Sequence, residues 1–325
     1  MKTLIDMTSR VGSWLSKELD EVSIVMSEHL KNKHSAVNDV CDELAAYKGK
    51  MLRPSLLLLT WKTVSKEQIV PKCVHVAAAV VELIHLATLV HDDVLDEADL
   101  RRGEKTINSL RGNEAAVMIG DYLLSSAFHL CSTIENPRLN LLLGEVTNTI
   151  CAGEVVQLFH RNNVDLDIDL YYQIIHDKTA SLIAASCEMG AILGGATDGE
   201  VLVLKKFGMS VGTAFQIKDD LLDLLGEQKS IGKPAGRDLE KGKLTLPIIS
   251  FLSENPGLKP VVQKVIINND REELHRMLDS TDSIASAFGV VNTLVESGTT
   301  PVRKLFNNDA SVQICALAEQ LKHTI

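Results

Sequence analysis

The chain has 325 residues, 45% of them hydrophobic and 4% aromatic, with eight prolines and a formal net charge of −10. That charge excludes a basic nucleic-acid-binding surface, and the excess of Leu, Ala, Val and Ile over aromatics favours packed helices over a sandwich of short strands. Six scattered cysteines without a Cys-x-x-Cys pair suggest neither a zinc site nor a disulfide framework, and point to reduced thiols in a cytosol-like, cytoplasmic setting.

The N-terminus, MKTLIDMTSRVGSWLSKELDEV, mixes apolar and charged residues and lacks the apolar stretch of a signal peptide. Apolar residues then recur at helical spacing over 13–33, 55–64, 73–96, 113–133, 138–159, 169–195, 200–226, 245–254, 259–279 and 283–298. Breaks fall at RGN (111–113), ENP (135–137), GGATDG (194–199) and the long loop GEQKSIGKPAGRDLEKGK (226–243). The most apolar stretch, 74–90, is interrupted by Glu82 and histidines, so a membrane span is not expected. Length alone suggests two domains. No linker or fixed-period repeat divides the chain, and one all-α domain over 1–325 is expected.

Chemistry concentrates at a few points along this order. GKMLRP (49–54) places Lys50 and Arg53 three apart, on one face if the segment is helical. The 73–96 segment ends in HDDVLDEADLRRG (91–103), where Asp92 and Asp96 lie one turn apart and repel each other unless a cation stands between them. An EF-hand is excluded, because Val94 occupies a ligand position and Glu97 the sharp-turn glycine. Taken alone, the run reads as a solvated acidic face. It has an echo, however: FQIKDDLLD (215–223) repeats the spacing with Asp219, Asp220 and Asp223, again within an apolar helical stretch. Two such clusters facing each other across a bundle would form an oxygen-rich cage for Mg²⁺, an ion usually held by few carboxylates together with substrate phosphates. Arg101 and Arg102, Lys50 and Arg53, Lys178-Thr179, and Lys233 in the long loop supply cations suited to phosphate. Each alone reads as a surface charge; together with two acidic clusters they describe a site for two polyanions.

In these motifs the chain resembles the trans-isoprenyl diphosphate synthases of the polyprenyl synthetase family, from about residue 45 to about residue 250. GKMLRP, HLATLVHDDVLDEADLRRG, GDYLLSSAF, GEVVQL, KTASLI, FQIKDDLLD and GKPAGRDLEKGKLTLP carry the likeness in order and separation. It implies an antiparallel helical bundle around a deep central cavity, commonly a homodimer, and Mg²⁺-dependent condensation of an allylic diphosphate with isopentenyl diphosphate. By the same resemblance, Asp92, Asp96 and Asp219 would hold Mg²⁺, supported by Asp93, Asp220 and Asp223. Arg101, Lys178, Thr179, Gln216 and Lys233 would contact the allylic substrate, and Lys50, Arg53, His85 and Arg102 isopentenyl diphosphate. The basic loop bearing Lys233 would act as a lid. Departures are Lys48 and Met51 in the first basic motif, and a C-terminus whose basic residues are Lys322 and His323, which leaves its part in closing the site open.

Product length is read at Ala87 and Thr88, five and four residues before Asp92, where short-chain relatives typically carry aromatic side chains. Both are small here, so a medium- or long-chain polyprenyl product, handed on to a membrane, is expected, with Phe128 as a candidate deeper floor. The alternatives are a short-chain farnesyl or geranylgeranyl synthase, a class I terpene cyclase, and a non-catalytic subunit of a heteromeric synthase. Cyclases usually lack the second aspartate cluster in this form, and non-catalytic subunits typically lose one cluster; this chain has both.

Overall fold

The computed structural model describes residues 10–47, 49–226 and 236–322. Its helices, in chain order, are α1 (Arg10–Leu30), α2 (Ser35–Glu43), a 3₁₀ turn (Leu44–Tyr47), α3 (Leu52–Val64), α4 (Lys72–Leu95), α5 (Ile107–Arg111), α6 (Asn113–Ser132) and α7 (Pro137–Phe159). There follow α8 (Ile168–Ile175), a π-helical turn (His176–Ala180), α9 (Ser181–Leu193), α10 (Asp198–Leu225) and α11 (Arg237–Glu240). The last are α12 (Leu246–Glu254), a 3₁₀ turn (Pro256–Leu258), α13 (Lys259–Ile267), α14 (Arg271–Asp279), α15 (Ser283–Leu305) and α16 (Asp309–Glu319). The all-helical expectation holds.

The centre is made of helices that are apolar nearly all round, the mark of a helix enclosed by others. In α3, Leu56, Leu57, Leu58 and Leu59 are all buried, and α4 buries Val74 through Ile84 with one gap at His75. Helix α4 packs against α1, α3, α6 and α9, and α9 in turn lies between α3 and α10. By length and hydropathy α4 and α6 could each cross a membrane, but 72% of the most apolar window of α4 is buried inside the protein. It is a core helix.

Several elements escape the periodicity. Helix α2 is only nine residues long, and its stripe of Val37, Val40 and Cys41 is no more than half-buried. The 169–195 segment is interrupted by the π turn, and 259–279 splits at Asn269, whose φ is +50°. Helix α15 runs through Pro301, past the expected end at 298. The one sheet among the described residues is a two-residue hairpin, β1 (Leu100–Arg101) with β2 (Glu104–Lys105), turning on Arg102 (φ +53°) and Gly103 (φ +87°). Positive φ at both central positions is the tight-hairpin signature. This turn sends Arg101 inward beneath the first aspartate cluster.

Candidate active site

The first cluster ends α4 and divides by helical phase. Asp92, Thr88 and His85 share one half-buried strip. Asp93 is 1% exposed and turned into the protein, where Arg101 grips it with both forks, Nε to Oδ2 at 2.9 Å and Nη2 to Oδ1 at 2.6 Å. The Tyr47 hydroxyl donates to the same carboxylate at 2.8 Å and accepts the Ile107 amide at 3.2 Å. Asp93 and Arg101 thus form a fixed platform under the motif.

The outward carboxylates meet cations. Asp96 accepts from Arg161 Nη2 at 3.2 Å and from Lys243 Nζ at 3.2 and 3.3 Å. Burial opposes the charge on Asp96, but Lys243, Lys178 and Arg161 more than offset it and hold its pKa below the usual carboxylate value. Lys178 Nζ stands 3.8 Å from Asp92, pairs closely with Glu154 and donates to Gln157 Oε1 at 3.0 Å. Burial disfavours the ammonium, yet Asp92 and Glu154 raise its pKa.

Lys178 and Thr179 owe their placement to the π turn, a wide turn found mostly at functional positions. Glycines let both neighbours approach it. A Cβ on Gly153 of α7 would lie 2.9 Å from the Lys178 amide nitrogen, and one on Gly212 of α10 would lie 2.6 Å from Ala180 Cα. While Lys178 faces the first cluster, the Thr179 hydroxyl donates to Gln216 Oε1 at 2.8 Å, on the helix of the second cluster.

That second cluster, near the end of α10, is built differently. Asp220 is buried and accepts from the Tyr171 hydroxyl at 2.7 Å and Gln216 Nε2 at 2.8 Å. Burial, reinforced by nearby Asp238, pushes its pKa well above the usual carboxylate value, against the pull of those hydrogen bonds. Asp223 caps α11, accepting the backbone amides of Arg237 at 3.2 Å and Asp238 at 3.0 Å. Asp219, directly before Asp220 in sequence, is half-buried. Beside it, Lys218 donates to the Gln320 and Leu321 carbonyls at 3.1 and 2.8 Å, tying the chain after α16 to this cluster. Lys178, Thr179, Gln216, Asp220, Asp238 and Lys243 line one cleft, with Leu166, Tyr171, Ile174 and Ile175 as its apolar wall.

A second basic group gathers around α3, α4 and the hairpin. Lys50 is exposed and precedes α3, because Met51 has a left-handed φ of +51° and the helix begins at Leu52. The expected shared helical face for Lys50 and Arg53 is therefore replaced by a rim lysine and a buried arginine. Burial lowers the Arg53 pKa to about 10, partly offset by Glu82, and its Nε has no hydrogen-bond partner. Glu82 is also buried with Oε2 unpartnered, and both Arg53 and Arg102 counter the burial that raises its pKa. Burial and the surrounding Arg53, Arg101 and Arg102 push His85 well below the usual imidazole pKa, so it is neutral. Arg102 Nη1 donates to the Tyr47 carbonyl at 3.0 Å. Buried guanidinium donors left unsatisfied are a receptive setting for phosphate oxygens.

The product-length positions separate. Thr88 lies on the Asp92 strip, its hydroxyl donating to the His85 carbonyl at 2.8 Å, whereas Ala87 is 2% exposed and turned into the bundle. Phe128 is 37% exposed and shares the outer strip of α6 with Asp121, Ser125 and His129, so it does not floor an internal shaft. Lys233 lies outside the described residues. Among the described residues, no three acidic, His or Cys side chains converge as a ready metal cage. The oxygen donors of Asp92, Asp96 and Asp219 nonetheless suit a hard divalent ion held jointly with phosphate. Sequence reasoning missed Tyr47, Glu82, Glu154, Arg161, Tyr171, Asp238 and Lys243. Glu154, Asp238 and Lys243 fall within quoted motifs and Glu82 interrupts the most apolar stretch; Tyr47, Arg161 and Tyr171 carry no local signal.

The polyprenyl synthetase pattern matches residues 34–281. The chain is 36% identical over 281 residues to heptaprenyl diphosphate synthase component 2 of Geobacillus stearothermophilus, covering 86% of this chain and 87% of the relative. It is 33% identical over 280 residues to octaprenyl diphosphate synthase of Escherichia coli, covering 85% of each. The crystal structure of a polyprenyl synthase from Caulobacter crescentus, complexed with calcium and isoprenyl diphosphate, superposes with a TM-score of 0.88 at 26% identity over 96% of both chains.

Proposed function

The chain belongs to the polyprenyl synthetase family, and from that premise we propose a specific division of labour and product class for it. It is a polyprenyl diphosphate synthase, a prenyltransferase that elongates trans-prenyl chains. The allylic diphosphate binds at Lys178, Thr179 and Gln216, with Lys233 and the fixed charge of Arg101 contributing. Isopentenyl diphosphate binds at Lys50, Arg53, His85 and Arg102. The observation that carries this division is the pair of separate basic groups, one bridging the two aspartate clusters and one gathered around the buried Glu82.

Mg²⁺ is the proposed metal, held by Asp92, Asp96 and Asp219; bound there, it would neutralise the departing diphosphate. The Caulobacter relative's calcium is of the same hard, oxygen-seeking class. Lys178 donates hydrogen bonds to the leaving oxygens, and Thr179 and Gln216 fix their orientation, so that charge developing on the diphosphate meets donors already in place. Arg53 and Arg102 hold isopentenyl diphosphate with its double bond towards the allylic carbon, and neutral His85 donates without adding charge. Carbon–carbon bond formation follows, and the released diphosphate accepts the proton that restores the double bond.

We further propose a medium- or long-chain product. The support is the small side chain of Thr88 on the Asp92 strip, together with relatives named for heptaprenyl and octaprenyl products. The functional unit is a homodimer joined through the outer strips of α6 and α7, where Met118 is 64% and Phe159 84% exposed. One assay tests the reading: purified chain, Mg²⁺, labelled isopentenyl diphosphate and each allylic starter, with products sized by chromatography. Products ending at farnesyl or geranylgeranyl diphosphate would overturn the chain-length proposal. Activity appearing only with a second polypeptide would overturn the homodimer, a comparison prompted by the Geobacillus relative being named as one component.

A further inference from the structure

The loop after α7 contributes a cation that no motif announces. Arg161 reaches Asp96, 65 residues away, and shares it with Lys243, 147 residues away on the other side. The two carriers are joined: the Asn162 amide donates to the Gly242 carbonyl at 2.7 Å, with both residues at positive φ, +58° and +67°. A Cβ on Gly242 would sit 2.1 Å from Asn162 Oδ1, so the contact is close and specific. The backbone segments that deliver the two cations to Asp96 are therefore held together.

The local charges are matched: Lys178, Arg161 and Lys243 stand against Asp92, Asp96 and Glu154. Once the carboxylates of Asp92 and Asp96 pass to a divalent ion, those cations are in excess, and a diphosphate is the polyanion that arrives with the ion. Lys243 already lines the cleft that holds Lys178 and Thr179. Arg161 has an unspent donor, its buried Nε, which makes no hydrogen bond.

We propose that Arg161 is a transferable counterion, neutralising Asp96 beside Lys243 in the metal-free enzyme and turning onto the allylic diphosphate when the carboxylate is given over to the metal. Arg161 is then a diphosphate-binding residue particular to this loop, and a competitor of the metal for Asp96. This rests on the functional reading above and assigns the residue a role that an ordinary surface ion pair would not have.

The two roles have opposite signs in one variant. In Arg161→Gln, Mn²⁺ bound to the full-length protein without diphosphate, measured by electron paramagnetic resonance, should bind roughly fivefold tighter, because one competing cation of an ion pair is gone. The KM for the allylic diphosphate should rise roughly tenfold for the lost charge-assisted hydrogen bond, with the KM for isopentenyl diphosphate within about twofold of wild type. Arg161→Lys should restore most of both. Arg161→Met is the second variant, expected to give the same pair of opposite changes if Arg161→Gln does not fold by circular dichroism. Unchanged or weaker Mn²⁺ binding, or equal rises in both KM values, would overturn the proposal. Failure of the functional reading is seen separately, as absence of prenyl products from the wild-type protein, while the Mn²⁺ measurement still judges Arg161.

Discussion

The two aspartate clusters are spelled alike, DDVLD and DDLLD, and fold into different chemistry. In each, the second aspartate is buried and accepts a tyrosine hydroxyl, Tyr47 on Asp93 and Tyr171 on Asp220. The first also has Arg101 in bidentate contact; the second has the Gln216 amide and the repulsion of Asp238. The last aspartates diverge too: Asp96 faces Arg161 and Lys243, whereas Asp223 caps α11. Spacing fixes which carboxylates share a helix face, but not the charge each one keeps. That depends on what the rest of the chain brings to it.

Substitutions can break this contrast at its strongest point. Asp93→Asn leaves Arg101 buried without its anion, and removal of one partner from a buried pair costs about 3–5 kcal/mol; urea unfolding should show a loss of that order. Next come Asp92→Ala and Asp219→Ala, expected to lower turnover by about 10²–10³ as losses of transition-state charge stabilisation. Their melting temperatures should stay near wild type, since Lys178 keeps Glu154 when Asp92 is gone. Near-normal steady-state turnover in both would sink the idea that the clusters act as a facing pair. Asp220→Asn should cost only about 1 kcal/mol, because its partners are neutral and one hydrogen bond is at stake. A loss equal to that of Asp93→Asn would erase the distinction. The smallest effect is expected from Asp223→Ala, where loss of a cap worth about 1 kcal/mol or less should show as faster amide exchange across Arg237–Glu240 with little change in global stability.

Most of the helical scaffold was legible because its apolar residues repeat at the helical period. What escaped did so for physical reasons. Helix α2 spans only nine residues, the hairpin strands are two residues long, and α15 carries on through Pro301, a residue type that ordinarily ends a helix. The motif residues were readable; their partners were not, since Arg161, Lys243 and Tyr171 reach the clusters only through tertiary contact. Phe128 shows the limit of reading neighbours without phase. Asp121, Ser125 and His129 already placed polar residues on its strip, and the structure turns that strip outward. Lys50 shows a second limit, where a single left-handed residue, Met51, separates it from the helix that carries Arg53.

The π turn at His176–Ala180 can also be read as a matter of phase between α8 and α9. A π turn holds one residue more than the α turn it replaces, and each helical residue advances the chain by about 100°. Deleting a single residue there would restore regular winding and rotate α8 by that angle relative to α9. Tyr171 would swing off Asp220, and Lys178 and Thr179 would no longer divide between the two clusters. The surplus residue thus works as an angular spacer: it sets the rotational offset at which two otherwise continuous helices serve the two aspartate clusters, so a change of one residue within those five positions is felt at both.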